Sequence, residues 1–135
     1  VIKLDPVDAQ IALKKAESEL AIVVRQVSQY YDRVNEQKAD VKMKKDLLSK
    51  AEQDYNRRQG LVVNKTISAE DLSHSLTSLD AARDALTLAE QQLIAAVKLS
   101  GNTDLYHHPQ VEQAIVNLRN AFLNLRRTIL YAPVD

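Results

Sequence analysis

A strict seven-residue apolar repeat constrains this chain more than any other feature. Leu13, Leu20, Val27, Val34, Val41, Leu48, Tyr55 and Val62 follow one another at intervals of seven. Such a period holds one stripe of a helix against a partner helix and winds the pair into a left-handed supercoil. The row three residues on is Ala16, Val23, Tyr30, Gln37, Lys44, Ala51 and Arg58. It is apolar at first and mostly polar from Gln37 onward, so one side of the seam is strong and the other mixed.

The pattern recurs twice. Leu72, Leu79, Leu86 and Leu93 keep the spacing, accompanied by Ala82, Ala89 and Ala96, whose small side chains let a facing helix come close. A third segment carries Val111, Leu118 and Leu125, with Ile115, Phe122 and Ile129 four residues further on. Its phase does not continue the second, because two heptads beyond Leu93 lies His107. The stretch from Ser100 to Pro109 accounts for the shift: Gly101 suits a helix C-terminus and Pro109 the first turn of the next helix.

These signals predict an all-α, antiparallel coiled-coil hairpin of two arms. Arm one runs over 7–63, with Asp5 capping and Pro6 in the first turn. Asn64-Lys65-Thr66-Ile67 is the link, and a short link makes two long helices antiparallel neighbours. Arm two restarts at Ser68, a capping residue followed by Glu70 and Asp71 at the positive end of the helix dipole. It occupies 68–100 and 109–131, interrupted near 101–109. The arms match, at 57 and 56 residues, and at ~1.5 Å per residue the hairpin would be roughly 85 Å long. Residues 33–58 hold eight Lys/Arg and five Asp/Glu, whereas residues 68–100 hold two and five, so the arms carry complementary net charges of +3 and −3. Exposed pairs contribute little, and ordinary solvated faces explain the same counts.

Composition agrees. Only 4% of residues are aromatic, with no Trp and a single Phe, and Gly appears twice. That leaves few large rings for a compact core and little turn chemistry for sheets. The net charge is zero, which gives no electrostatic reason to bind nucleic acid. There is no Cys, no run of about 20 apolar residues and no signal peptide. The chain opens on Val1 rather than Met, as an excised piece would.

Catalytic, cofactor and metal sites are not expected. His74, His107 and His108 have no Cys or carboxylate cluster at ligand spacing, and there is no nucleophile elbow or phosphate loop. The informative segment is Arg57 to Ser68, which places apolar side chains and cations together at a hairpin end. Exposed apolar residues at such an end suit a docking surface, while a plug closing the turn is the other reading. Val1-Ile2-Lys3-Leu4 and Ile129-Leu130-Tyr131-Ala132-Pro133-Val134 read as strand fragments flanking the hairpin, as for an insertion in a β-rich domain.

On these residues the chain resembles the periplasmic adaptors, or membrane fusion proteins, of tripartite efflux pumps, in the HlyD-like family and of the EmrA type. Val1 to Ala9 looks like the end of the first half of a split lipoyl domain (1–5) entering the hairpin (6–131). Arg119-Asn120-Ala121 and Thr128 to Asp135 look like the return into the second half (132–135). Arg57, Leu61 and Ser68 match the Arg–Leu–Ser tip spacing of adaptors that contact TolC-like channels, and Asp54-Tyr55-Asn56-Arg57-Arg58 is also EmrA-like. The resemblance implies a TolC-like outer-membrane channel and an inner-membrane drug transporter of the major facilitator type as partners. It implies a periplasmic location, anchored through an N-terminal helix outside this chain. Homo-oligomers are expected, because Val24, Tyr31, Leu47, Leu76 and Leu88 fall off the seam. An adaptor for type I protein secretion shares these features, and a plain dimerising coiled-coil scaffold would show parallel helices without a central turn.

Overall fold

The computed structural model describes residues 2–130. The expected fragment at Tyr131 to Asp135 lies outside them, as does Val1. A two-residue strand β1 (Ile2–Lys3) leads into helix α1 (Val7–Val63), then helix α2 (Ala69–Ser100), a single 3-10 turn (Leu105–His107), helix α3 (Pro109–Arg127) and strand β2 (Ile129–Leu130). The chain divides into two compact units: residues 1–30 with 100–135, and residues 31–99.

In the second unit, residues 31–63 of α1 run antiparallel to α2. Lys45 pairs with Glu90 and Glu52 with Arg83, each at 4.0 Å, so the α2 number falls as the α1 number rises. Both pairs are exposed and add little stability. Burial supplies the stability instead. Val34 and Val41 on α1 and Leu79, Ala89 and Ala96 on α2 are buried, with Leu48, Leu72, Leu86 and Leu93 half-buried between them. Ser75 joins them, because its hydroxyl turns back to the Leu72 carbonyl at 2.7 Å and leaves no donor unmet. Gln37 is the discordant seam residue: its side-chain oxygen is buried without a hydrogen-bond partner. A polar residue at such a position fixes register at a cost in stability.

In the first unit, residues 7–30 of α1 carry Leu13, Leu20 and Val27, with Val27 fully buried. The inward row of α3 is Val111, Ala114, Leu118, Ala121, Leu125 and Thr128, in alternating steps of three and four. Ala114 is buried, while Ile115 and Phe122, the companions expected from the sequence, stand exposed. Positions three and four residues on from a seam residue both satisfy the repeat, and here the small residues turn in. β1 and β2 pair antiparallel, Ile2 opposite Leu130 and Lys3 opposite Ile129, and the Leu4 N–H donates to the Thr128 carbonyl at 3.0 Å. The Thr128 hydroxyl donates to the Leu125 carbonyl at 2.7 Å, which closes α3 at Arg127, short of the 131 that the sequence suggested.

The interruption of the returning arm is a built structure. Gly101 and Asn102 both take left-handed backbone, φ +69° and +51°. Asp104 caps the 3-10 turn by accepting the His107 N–H, and its carboxylate also holds the His107 ring nitrogen. His108 is buried and caps α3: its Nδ1 accepts the Gln110 N–H at 3.3 Å, and its carbonyl accepts the Val111 and Glu112 N–H groups. Its ring sits 6.1 Å from that of Tyr30.

Candidate docking tip

The turn between α1 and α2 is shaped by two caps. At the end of α1 the Lys65 N–H donates to the Val62 carbonyl at 2.9 Å, and the Thr66 N–H reaches back to Leu61 at 3.0 Å. This paired closure needs a left-handed residue just past the helix, a position Gly usually fills. Here Lys65 fills it, at φ +56°. At the start of α2 the Ser68 Oγ accepts the Asp71 N–H at 3.1 Å and donates its own proton to the Asp71 carboxylate at 2.9 Å. Ser68 is thus a helix cap with a reciprocal partner, and its side chain stays exposed.

Arg57 and Leu61 lie one turn apart on one face of α1. Arg57 is tethered: it donates to one oxygen of Asp54 at 2.6 Å, while Arg58 donates to the other at 2.8 Å. The hydrogen bond from Arg57, with the one from Arg58, holds the Asp54 carboxyl below the usual carboxylate range. The side chain of Arg57 is still 72% exposed. Lys50, Gln53, Asp54 and Arg57 line a shallow groove along this face.

Leu61 is half-buried, as are Val62 and Ile67. The exposed apolar side chain at the turn is Val63, at 80%, which the sequence did not single out. Nor did it single out Asp54 as the clamp on Arg57, although spacings of three and four to two arginines are the signature of such a clamp. The turn therefore presents a tethered guanidinium, a partly covered leucine, a bare valine and a capping hydroxyl within a dozen residues. The chemistry available there is recognition: hydrogen bonds from Arg57 and apolar contact through Leu61 and Val63. Among the described residues no group of three or more His, Cys, Asp or Glu could hold a metal, and no helix is long and apolar enough to cross a membrane.

Comparison with known proteins agrees with the hairpin. The family model described as EMRA, alpha-helical hairpin domain, matches residues 7–128. The chain is 37% identical over 134 residues to the multidrug export protein EmrA of Escherichia coli K12. It is 37% identical over 134 residues to the probable multidrug resistance protein EmrK of the same strain, and 34% identical over 133 to the fatty acid resistance protein FarA of Neisseria gonorrhoeae. Those alignments cover 98–99% of this chain but 34–35% of each relative, so the chain spans about a third of the length of the curated relatives it matches. No solved structure matches it. A turn capped on both sides, antiparallel heptad seams and this near-complete match together establish that the chain belongs to the EmrA alpha-helical hairpin domain family.

Proposed function

We propose that this hairpin is part of a periplasmic adaptor for multidrug efflux, anchored to the inner membrane, whose turn docks onto a TolC-like outer-membrane channel. The observation that carries the reading is the tip itself. Leu61 and Ser68 take part in the two caps of one turn, and Arg57 lies one helical turn before Leu61 with its side chain largely exposed. Relatives named for multidrug export and resistance support the transport assignment. In this reading Arg57 donates charge-assisted hydrogen bonds to channel carbonyls or carboxylates. Leu61 and Val63 bury against channel helices, and Ser68 holds the first turn of α2 in place. The paired strands β1 and β2 are where the hairpin joins the two halves of a lipoyl domain. The inner-membrane partner is a drug transporter of the major facilitator type, and the whole adaptor works as a homo-oligomer.

The test is Leu61→Asp in the full-length protein, with helix content checked by circular dichroism. Loss of drug resistance with helix content retained is expected, together with loss of crosslinking from position 61 to the channel. Full resistance in a folded variant would refute tip docking.

A further inference from the structure

Asp54 stands between two arginines whose surroundings differ. Arg58 belongs to the mixed row of the α1 seam and is half-buried, whereas the neighbouring Arg57 side chain is 72% exposed. Each takes one carboxylate oxygen. The Arg58 Nε donates to Oδ2 at 2.8 Å, and the Arg57 Nη2 donates to Oδ1 at 2.6 Å. An acid three and four residues ahead of its cations is the favourable order on a helix. Both Asp54 oxygens therefore have partners, and its side chain is only 33% exposed. Asp54 offers little contact surface of its own to another protein. Lys50 lines the same groove one turn earlier. Among the described residues it has no carboxylate within 4.0 Å, so it does not compete for Asp54.

We propose that Asp54 is a positioning residue for docking: held by Arg58 at the seam, it fixes the Arg57 guanidinium in the geometry that meets the outer-membrane channel. The inference rests on the reading of this turn as the channel-docking end. Two costs of docking an arginine are lowered by such a clamp. An exposed arginine samples many rotamers, and a hydrogen bond formed beforehand removes part of that ordering cost. Leu61 and Val63 exclude water as they bury, and a guanidinium dehydrated beside them without a counter-charge is strongly disfavoured. Asp54 supplies the counter-charge from within the chain. The clamp does not occupy the whole guanidinium, which has five N–H donors, of which the bond to Asp54 takes one. Nor is helix stability the main return, because exposed pairs at these spacings add little.

The test uses the full-length protein in cells, with a photo-crosslinking residue at position 64, exposed at the turn. Crosslinking yield to the outer-membrane channel and drug resistance are both read. Arg57→Ala and Asp54→Ala should each lower the yield by about threefold or more, the factor for ordering one rotamer-rich side chain. Asp54→Glu keeps a carboxylate within reach of both arginines and should restore most of the yield. In an Arg57→Ala background, Asp54→Ala should cause no further loss, which a merely structural role would not produce. Asp46→Asn makes a like change in charge two turns earlier on α1 and should leave the yield unchanged. If Arg57→Ala lowers the yield but Asp54→Ala leaves it unchanged or raises it, the inference fails and tip docking stands. A further loss in the Arg57→Ala background, or an equal loss in Asp46→Asn, also overturns the inference. An unchanged yield in Arg57→Ala overturns the docking role of Arg57 itself, and the inference with it.

Discussion

Replacing Val27 by Ala tests whether the heptad seam, rather than helix propensity, holds the first unit together. Val27 is fully buried on α1. The substitution removes two methyl-sized groups, worth about 1.6 kcal/mol at ~0.8 kcal/mol each. The cavity left behind brings the expected loss to about 2–3 kcal/mol. Ala is the better helix former, so propensity alone predicts a small gain. Ile22, five residues earlier on the same helix, is 61% exposed and serves as the control. Ile22→Ala should change stability by less than about 0.5 kcal/mol. Urea denaturation of the chain followed by circular dichroism at constant slope reads both. If Val27→Ala shifts the midpoint no more than Ile22→Ala does, the seam is not what stabilises this unit.

Four further outcomes follow from the same contacts. Ser68→Ala should destabilise the start of α2 by about 1 kcal/mol, whereas Ser68→Asn keeps a capping side chain and should cost little; hydrogen exchange at the Asp71 amide separates them. Lys65→Gly should stabilise the turn by about 0.5–1 kcal/mol, because Gly adopts the left-handed conformation without a Cβ clash; a fall in melting temperature would contradict the assigned geometry. Gln37→Leu removes the unpartnered buried oxygen and should raise stability by about 1 kcal/mol while loosening register, which disulfide trapping across the second unit would report. The Asp54 carboxyl has its acidity raised by Arg57 and Arg58. Its contribution is therefore complete above the ordinary carboxylate value and is lost as pH falls through the lower native one. Nuclear magnetic resonance signals of both guanidinium groups should shift below about pH 4 in the wild type and not in Asp54→Asn; identical titrations would refute the clamp.

The local rules were legible in the chain itself. A seven-residue apolar period has one economical outcome, a helix with a single sticky stripe, and it marks Leu13 through Leu125 as inward residues. Pro6, Ser68, Gly101 and Pro109 punctuate the helices for reasons internal to each residue: a fixed φ, a capping hydroxyl, a free left-handed conformation. The tip could be found because its turn falls between two such signals. What the sequence left open were choices that depend on a neighbour. In α3, Ala114 and Ile115 satisfied the period equally, and packing in the first unit turned the alanine row in and left Ile115 and Phe122 outside. His107-His108-Pro109 read only as a polar loop, because His108 is buried with its ring near that of Tyr30, far away in sequence. Lys65 took a backbone conformation its own chemistry disfavours, since the end of α1 and the capped start of α2 leave that bridge to it. Periodicity acts through one chain's geometry and can be read from one chain. Burial is a property of pairs of surfaces, and only the folded arrangement supplies the second surface.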